Sequence, residues 1–581
     1  MSNLRPDIYS FGHFRVDATA RELRAGGEPL PLTPRVFDTL LYFVRNPGRV
    51  LEKDELMKAI WPDAFVEENN LSQNVSALRR ALGESRGRGK FIVTVPGHGY
   101  RFAVDVARET GDAESASVED DPRSRTIAVL PFKPLVEEGR DGALELGMAD
   151  ALIARLSRIR ELIVRPLSSV RKYGGLDQDP QLAGRELGVE SVLDGSIQRR
   201  GDRIRVTARL IDVRRGASLW VDTLDEMFTD VFALQDAISE RVASALALHL
   251  SSEELSAVTR RHTENTEAYE LYLKGRYHGS RLIPPEIRQG IQFFQQSIEL
   301  DATYALPYAG LLEAYRSLPI TSDVPPRDVF PLASAAAAKA LAIDESLVDV
   351  HASLAFIKLW YDWDDAGALR EALRAVALNP NSSEARRSYA HVLWGLGRFA
   401  EAVTEGTRAR ELDPLSLLTS AQEGMYLFAA GRIDNARDRL MKTMEIEPEF
   451  WIALLWLAKI DIHQERYDDA IEKLTRAREA SHGNSETISL IGYAWAMMGD
   501  RAKALGVLAE LEAQSANRYV PPYAVATIRC GLGDDDQVFI ALETALKERD
   551  VRLYWLRIDP KWDRLRSDAR FAAILERMRP E

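Results

Sequence analysis

The chain has 581 residues, 46% hydrophobic and 28% charged, which is ordinary for globular protein and enough for several domains. Its net charge of −13 excludes a generally basic nucleic-acid coat. The single cysteine, Cys530, excludes an internal disulfide and a multi-cysteine metal site, and no apolar run reaches the about 18 residues of a membrane span.

Charge is unevenly spread. Residues 1–105 hold 15 Lys and Arg against 13 Asp and Glu, a net +2, so the rest of the chain carries −15. A near-neutral head on an acidic body can bind DNA only through a local patch. Phe11–Val16, Glu22–Arg24 and Leu30–Leu32 read as short strands, with Gly26-Gly27-Glu28 a turn. Thr33 and Pro34 start a first helix with its apolar face on Phe37, Leu40, Leu41 and Val44, and Asn46-Pro47-Gly48 ends it. Leu51–Leu56 opens a second helix that stops at Trp61-Pro62.

A third helix comes next. Leu71, Val75, Leu78 and Leu82 recur at steps of four, three and four and so share one face. Glu67 and Glu68 suit the positive end of its dipole, and Gly83 ends it. The other face carries Asn70, Gln73, Asn74, Ser76, Ala77 and Arg80. Short amides can pair bidentately with adenine edges, and arginine can neutralise phosphate or read guanine. A solvated amphipathic helix would look the same. The segment after the helix tips the balance: two short strands around Pro96-Gly97-His98-Gly99, closing on Tyr100-Arg101-Phe102.

Residues 8–106 resemble an OmpR-type winged helix-turn-helix domain, which ends on a Gly-x-Gly-Tyr-Arg-Phe wing. The run from Asn69 and Asn70 through Leu82-Gly83 is most similar to CadC-like members. The resemblance implies that the third helix enters a major groove and the wing reaches the neighbouring minor groove. The implied DNA-binding residues are Asn69, Asn70, Gln73, Asn74, Ser76 and Ala77, with Arg79 and Arg80 on phosphate and His98 and Arg101 on the wing. Arg101 and His98 read equally well as surface residues, and Tyr100 and Phe102 as packing. Several response-regulator relatives have arginines at the positions of Ser76 and Ala77, so base preference does not carry over.

Residues 108–125 are small and acidic and read as a flexible linker, where membrane-bound relatives have their span. Residues 126–250 read as an α/β domain. It has strands at Thr126–Phe132, Leu162–Pro166, Ser191–Gln198, Arg203–Val213 and Ser218–Asp222, and helices at Leu144–Ile159, Pro180–Leu187 and Val231–Leu250. It resembles the TolB-like amino-terminal domain. It carries no dinucleotide fingerprint, phosphate loop, His-Glu-x-x-His or Gly-x-Ser-x-Gly, and Asp150, Asp194 and Asp212 read as caps and solvated faces.

After a short link at 251–265, residues 266–581 repeat with a period of 34. Ala402, Ala436, Ala470 and Ala504 keep this step, as do Ala390, Gly424, Ala458 and Gly492, and Pro380, Pro414 and Pro448. Gly397, Gly431 and Gly499 keep it too, with Glu465 in the missing place. Small residues at fixed points let antiparallel helices approach closely. The pattern is similar to tetratricopeptide repeats, strongest over 379–515, with looser early units, an insertion around Pro319–Pro331 and a C-terminal cap from Leu556. Tyr361, Trp363, Trp394 and Trp451 are candidates for a concave binding surface, but core is the commoner fate of each, and none is assigned.

The expected architecture is therefore multidomain: a winged helix-turn-helix (α+β) at 1–107, a linker at 108–125, a small α/β domain at 126–250 and an all-α tetratricopeptide-repeat solenoid at 266–581. The implied function is a one-component, sequence-specific transcriptional regulator of cytoplasmic location, binding double-stranded promoter DNA. Family habit implies two protomers on paired half-sites. The repeats would sense a signal or hold a protein or peptide partner, RNA polymerase among the candidates. No cofactor, metal or membrane partner is expected, and the missing motifs count against an enzyme. The alternative is a repeat scaffold with a secondary DNA contact.

Overall fold

The computed structural model describes residues 8–578 apart from 12–13, 18–21, 26–27, 31, 47, 61–67, 83–90, 96–98, 105–106, 110–124, 135–141, 160, 176–177, 202, 228–230, 247–261, 280–283 and 322–323. The chain forms two compact units, Met1–Asp120 and Asp121–Glu581.

In the first unit, β1 (Ile8–Phe11), β2 (Phe14–Asp17), β3 (Glu22–Ala25) and β4 (Glu28–Leu30) form an antiparallel meander. The expected strand Phe11–Val16 is thus two strands, β1 and β2, and the strand expected at Leu30–Leu32 lies earlier, at Glu28–Leu30. The expected Gly26-Gly27 turn lies outside the described residues.

Helix α1 (Pro34–Arg45) begins after Thr33, whose side chain makes no capping bond, although its carbonyl accepts from Phe37 N at 2.9 Å. Leu51 and Glu52, expected to open the second helix, are not helical. They belong to β5 (Val50–Glu52), and α2 (Lys53–Ile60) starts after it. The helix α3 (Glu68–Ala81) is succeeded by β6 (Ile92–Val95) and β7 (Gly99–Phe102), and β5 pairs β7 in a three-stranded sheet. Gly99 permits that pairing, since a Cβ there would lie 2.0 Å from the Leu51 carbonyl oxygen. Arg108 and Glu109, expected at the start of a linker, instead belong with Ala107 to β8 (Ala107–Glu109), which pairs with the free edge of β1. The core joins the meander to the helices through Phe11, Phe14, Phe91 and Phe102, with Phe11 and Phe102 edge to face at 5.0 Å.

The second unit opens with a mixed sheet. Its strands are β9 (Arg125–Val129), β10 (Lys133–Pro134), β11 (Leu162–Val164), β12 (Ser191–Arg200), β13 (Arg203–Asp212) and β14 (Ser218–Met227). The order is β11-β9-β12-β13-β14, parallel through β11, β9 and β12, then antiparallel. Helices α4 (Gly142–Leu156), α5 (Leu167–Val170), α6 (Pro180–Glu186) and α7 (Val231–Ala245) accompany it. Leu144 to Asp150 are all buried, so this part of α4 is enclosed on all sides, not only along the apolar stripe its sequence marks.

The helical array packs directly onto this α/β layer. Helix Thr266–Gly279 meets α4 through Arg276, whose Nε donates to Asp150 Oδ2 at 3.1 Å. Arg165 donates to the terminal carbonyls of Glu411 and Leu412, each at 2.8 Å, where the helix dipole is negative. Ser168 donates to Asp413 at 2.6 Å, and Asn379 to the Ser157 carbonyl at 3.1 Å. One hydrophobic core runs through both layers.

The 34-residue period has a backbone cause. Gly397, Gly431, Glu465, Gly499 and Gly533 all hold positive φ, between 59° and 84°. The next residue's N–H closes each helix: Arg398 on Leu393, Arg432 on Leu427, Arg466 on Asp461, Asp500 on Trp495 and Asp534 on Arg529, at 2.8–3.1 Å. This is a Schellman closure, which glycine adopts without penalty. Glu465 bears the left-handed strain that its four glycine counterparts avoid. Glu465→Gly is therefore expected to stabilise the array by on the order of 1 kcal/mol, read as a raised thermal midpoint for the second unit.

The inner side of the array is filled by its own chain. The stretch after helix Asp535–Glu548 lies against the first helices of several pairs. Arg549 donates to the Tyr361 carbonyl at 2.8 Å, and the Tyr554 hydroxyl lies 3.1 Å from His391 Nε2. Lys459 Nζ sits 4.0 Å from the centre of the Trp555 ring, and Arg552 pairs with Glu486 at 3.5 Å. Burial holds the His391 pKa well below its usual value, so the neutral ring accepts from Trp360 Nε1 at 3.1 Å. Trp363 and Trp394, weighed as concave-surface residues, are 5% and 3% exposed and belong to this packing.

Candidate nucleic-acid interface

The chemistry of the first unit depends on how α3 is turned. Leu71, Val75, Leu78 and Leu82 are 0–3% exposed. Burying each contributes roughly 1.5–3 kcal/mol, so the helix has one rotational setting. Advancing about 100° per residue from there places Asn70, Gln73, Ser76 and Arg80 in one stripe on the opposite side. All four are exposed, with Ala77 half-buried between them. Ser72, Gln73, Ser76, Ala77 and Arg80 line a shallow depression on this side. The Ser76 hydroxyl donates back to the Ser72 carbonyl at 2.8 Å, a bond it can exchange for a ligand.

The two flanks of the helix are committed to the fold. Asn74, expected to face a groove, is half-buried, and its Nδ2 donates to Thr39 Oγ1 on α1 at 3.3 Å. Arg79, expected on phosphate, donates to the Ile92 carbonyl through Nε (3.3 Å) and Nη2 (2.8 Å), and to Thr94 Oγ1 at 2.9 Å. Its guanidinium also lies 6.0 Å from the Tyr100 ring centre. Helical geometry explains both placements. These positions sit a quarter-turn or less from the buried stripe, within reach of α1 on one side and of the hairpin on the other.

Asn69 lies in the first turn of α3. His98 lies outside the described residues. Arg101 is exposed on β7, opposite Val50 and Val93, while Tyr100 and Phe102 are buried as hairpin packing. Ser72 was not singled out in the sequence. It borders the depression and lies 3.5 Å from the Tyr100 hydroxyl, so it joins the helix to the wing. Arg80 has no ion-pair partner among the described residues, and α3 presents no acid beside it. The stripe offers amide donors and acceptors, hydroxyls and the Arg80 guanidinium, which suits base edges and phosphate together.

Comparison with known proteins identifies the domains. Residues 27–102 match the family described as transcriptional regulatory protein, C terminal, and residues 123–241 match the second domain of HilA/YgeH-like transcriptional regulators. Residues 362–416 and 427–487 match tetratricopeptide repeats. A Rhizobium meliloti protein named as a presumptive adenylate cyclase 3 is 30% identical over 207 residues, 36% of this chain and 35% of that protein. The transcriptional regulator HilA of Salmonella typhi is 21% identical over 387 residues, 66% of each chain. The transcriptional activator CadC of Escherichia coli is 30% identical over 104 residues, 18% of this chain and 20% of that one. The chain thus spans about a third of the first relative's length and just under two thirds of the second's.

The geometry separates the two adjacent arginines. Arg80→Ala should weaken DNA binding by about 1 kcal/mol and reduce the log–log salt slope by about 1, with unfolding of the first unit unchanged. Arg79→Ala should instead cost about 1–2 kcal/mol of that unit's stability, measured by denaturant unfolding.

Proposed function

We propose that this chain, which carries an OmpR-type winged-helix domain, a HilA-like second domain and tetratricopeptide repeats, is a one-component, sequence-specific regulator of transcription. The observation that carries this reading is the outward stripe Asn70, Gln73, Ser76 and Arg80 on a helix whose opposite face is locked into the core. It binds double-stranded promoter DNA through that stripe, as two protomers on paired half-sites, with the β6–β7 hairpin against the neighbouring minor groove.

The α/β layer and the array act as one signal-receiving body. The hydrogen bonds and shared core between them support this, because a ligand or partner that shifts one layer must strain the other. A protein partner, RNA polymerase among the candidates, docks on the outer surface of the array, since residues 549–557 pack against its inner side. Among the described residues no helix is long and apolar enough to cross a membrane, and we place the protein in the cytoplasm. The adenylate cyclase similarity covers about a third of either chain, and the chain is read as non-catalytic because its matched domains are those of regulators and repeats. The similarity to a cyclase keeps open one second reading, a shared sensory module with no cyclase activity of its own.

Genome-wide occupancy of the full chain tests the proposal. Discrete promoter peaks should appear and should vanish when Asn70, Gln73 and Arg80 are all changed to Ala. Peaks that persist in the variant, or protein capture without peaks, would favour a scaffold role.

A further inference from the structure

The α/β layer ends on an unusual edge. Strand β14 is ten residues long and terminal in its sheet, and among the described residues no strand pairs with its outer side. Edge strands of this length are normally blunted by charged side chains, above all lysine, by proline, by bulges or by a covering element. β14 contains no lysine and no proline, and of its three acids Asp222 and Asp225 are paired with arginines of the same layer. Its one irregularity is a bulge at the start, where the register with β13 shifts between Leu210 and Ile211. Leu219, Val221 and Met227 are 44%, 57% and 42% exposed.

The main chain shows which residues face outward. The Thr223 N–H is met by its neighbour's Asp222 carboxylate at 2.8 Å, and beyond the bulge the pattern alternates. Odd-numbered residues from Val221 to Met227 therefore present N–H and C=O at the free edge. An added antiparallel strand must pair odd residues with odd.

We propose that β14 is a self-association edge, pairing antiparallel with β14 of a second copy about a dyad through Thr223. This deepens the paired-protomer reading above and rests on it. The self-complementarity of the strand is the reason. Centred on Thr223, Val221 of one copy meets Asp225 of the other, and Met227 reaches the bulge that holds Leu219. Asp225 arrives already neutralised, because Arg205 donates to it through Nε at 3.2 Å and Arg203 lies 3.9 Å away. Asp222, on the other face of the strand, is paired with Arg241 of α7. Thr207 and Thr223 already share a hydrogen bond of 3.1 Å across β13 and β14, so the dyad would continue it as a ladder of four threonines. A register centred on Asp222 sets the two Asp222 side chains against each other, and one centred on Leu224 sets Thr223 against Asp225 and breaks the threonine ladder. The junction is small, so the dimer dissociates readily in solution and is held on DNA by the proximity of its two half-sites.

The test uses the full chain without DNA. Cys530 is buried, so a second cysteine reports alone. Opposed hydrogen-bonded residues lie about 5.5 Å apart between Cα atoms, within disulfide range. Thr223→Cys should therefore form a disulfide-linked dimer under mild oxidation, several-fold more than Thr404→Cys, an exposed control on the array. Val221→Asp in the Thr223→Cys background should abolish that product while leaving the circular dichroism spectrum unchanged. Equal crosslinking at positions 223 and 404, or crosslinking that survives Val221→Asp, overturns the β14 assignment. Dimers in sedimentation with no Thr223→Cys product also overturn it, but leave paired protomers standing. Paired-site binding on DNA is measured separately, so failure of that reading is seen independently.

Discussion

The rotational setting of one helix governs what this protein can do. Leu71, Val75, Leu78 and Leu82 anchor α3 in a core with Leu40, Leu51, Leu56 and Phe102. Turning the helix by one residue, about 100°, would expose part of that stripe and bury polar side chains without partners. Each alternative costs several kcal/mol, so the side chains offered to solvent are fixed by those that are not. Thr39 receives Asn74 on one flank and the Ile92 carbonyl receives Arg79 on the other, and these bonds narrow the presented surface to a single stripe.

The array obeys a different constraint. Its period is set by a left-handed residue at the end of the first helix of each pair, and small residues let the next helix close in. Gly424 shows the tolerance: a Cβ there would meet Leu440 Cγ at 2.7 Å. The same repetition that builds an open inner surface in such arrays is here turned to internal packing. Tyr554 and Trp555 reach His391, Trp394 and Trp456, and charged groups such as Lys459 and Arg552 are held by Glu486 between them. Arg165, Ser168 and Asn379 then tie the α/β layer to the helix ends of the array. The result is one body in which α/β layer and repeats respond together.

Much of this was legible in the sequence, for identifiable reasons. The stripe on α3 and the 34-residue period depend on side-chain burial and backbone conformation that repeat locally, so spacing alone reveals them. Even the exception was visible, since Glu465 stands where glycines stand elsewhere and takes the same positive φ. What escaped depends on partners distant in the chain. Leu51-Glu52 looks like the start of a helix until Gly99 brings β7 alongside, and Arg108-Glu109 looks like linker until it meets the edge of β1. Asn74 and Arg79 have the composition of groove residues, and only the positions of Thr39 and Ile92 reveal them as fasteners. The packing of 549–557 into the array joins residues up to 188 positions apart, and no local pattern announces it.

The measurement that tests the central claim most directly exploits the lone, buried cysteine. A cleavage reagent tethered at Gln73→Cys of the full chain reports where the stripe lies on bound DNA. A stripe seated in the major groove should give short cuts flanking the centre of each half-site, staggered as radicals released in a major groove stagger them, and no cuts from the same reagent at Lys58→Cys on α2. Cuts staggered as from a minor groove, or spread evenly along the duplex from both positions, would contradict it.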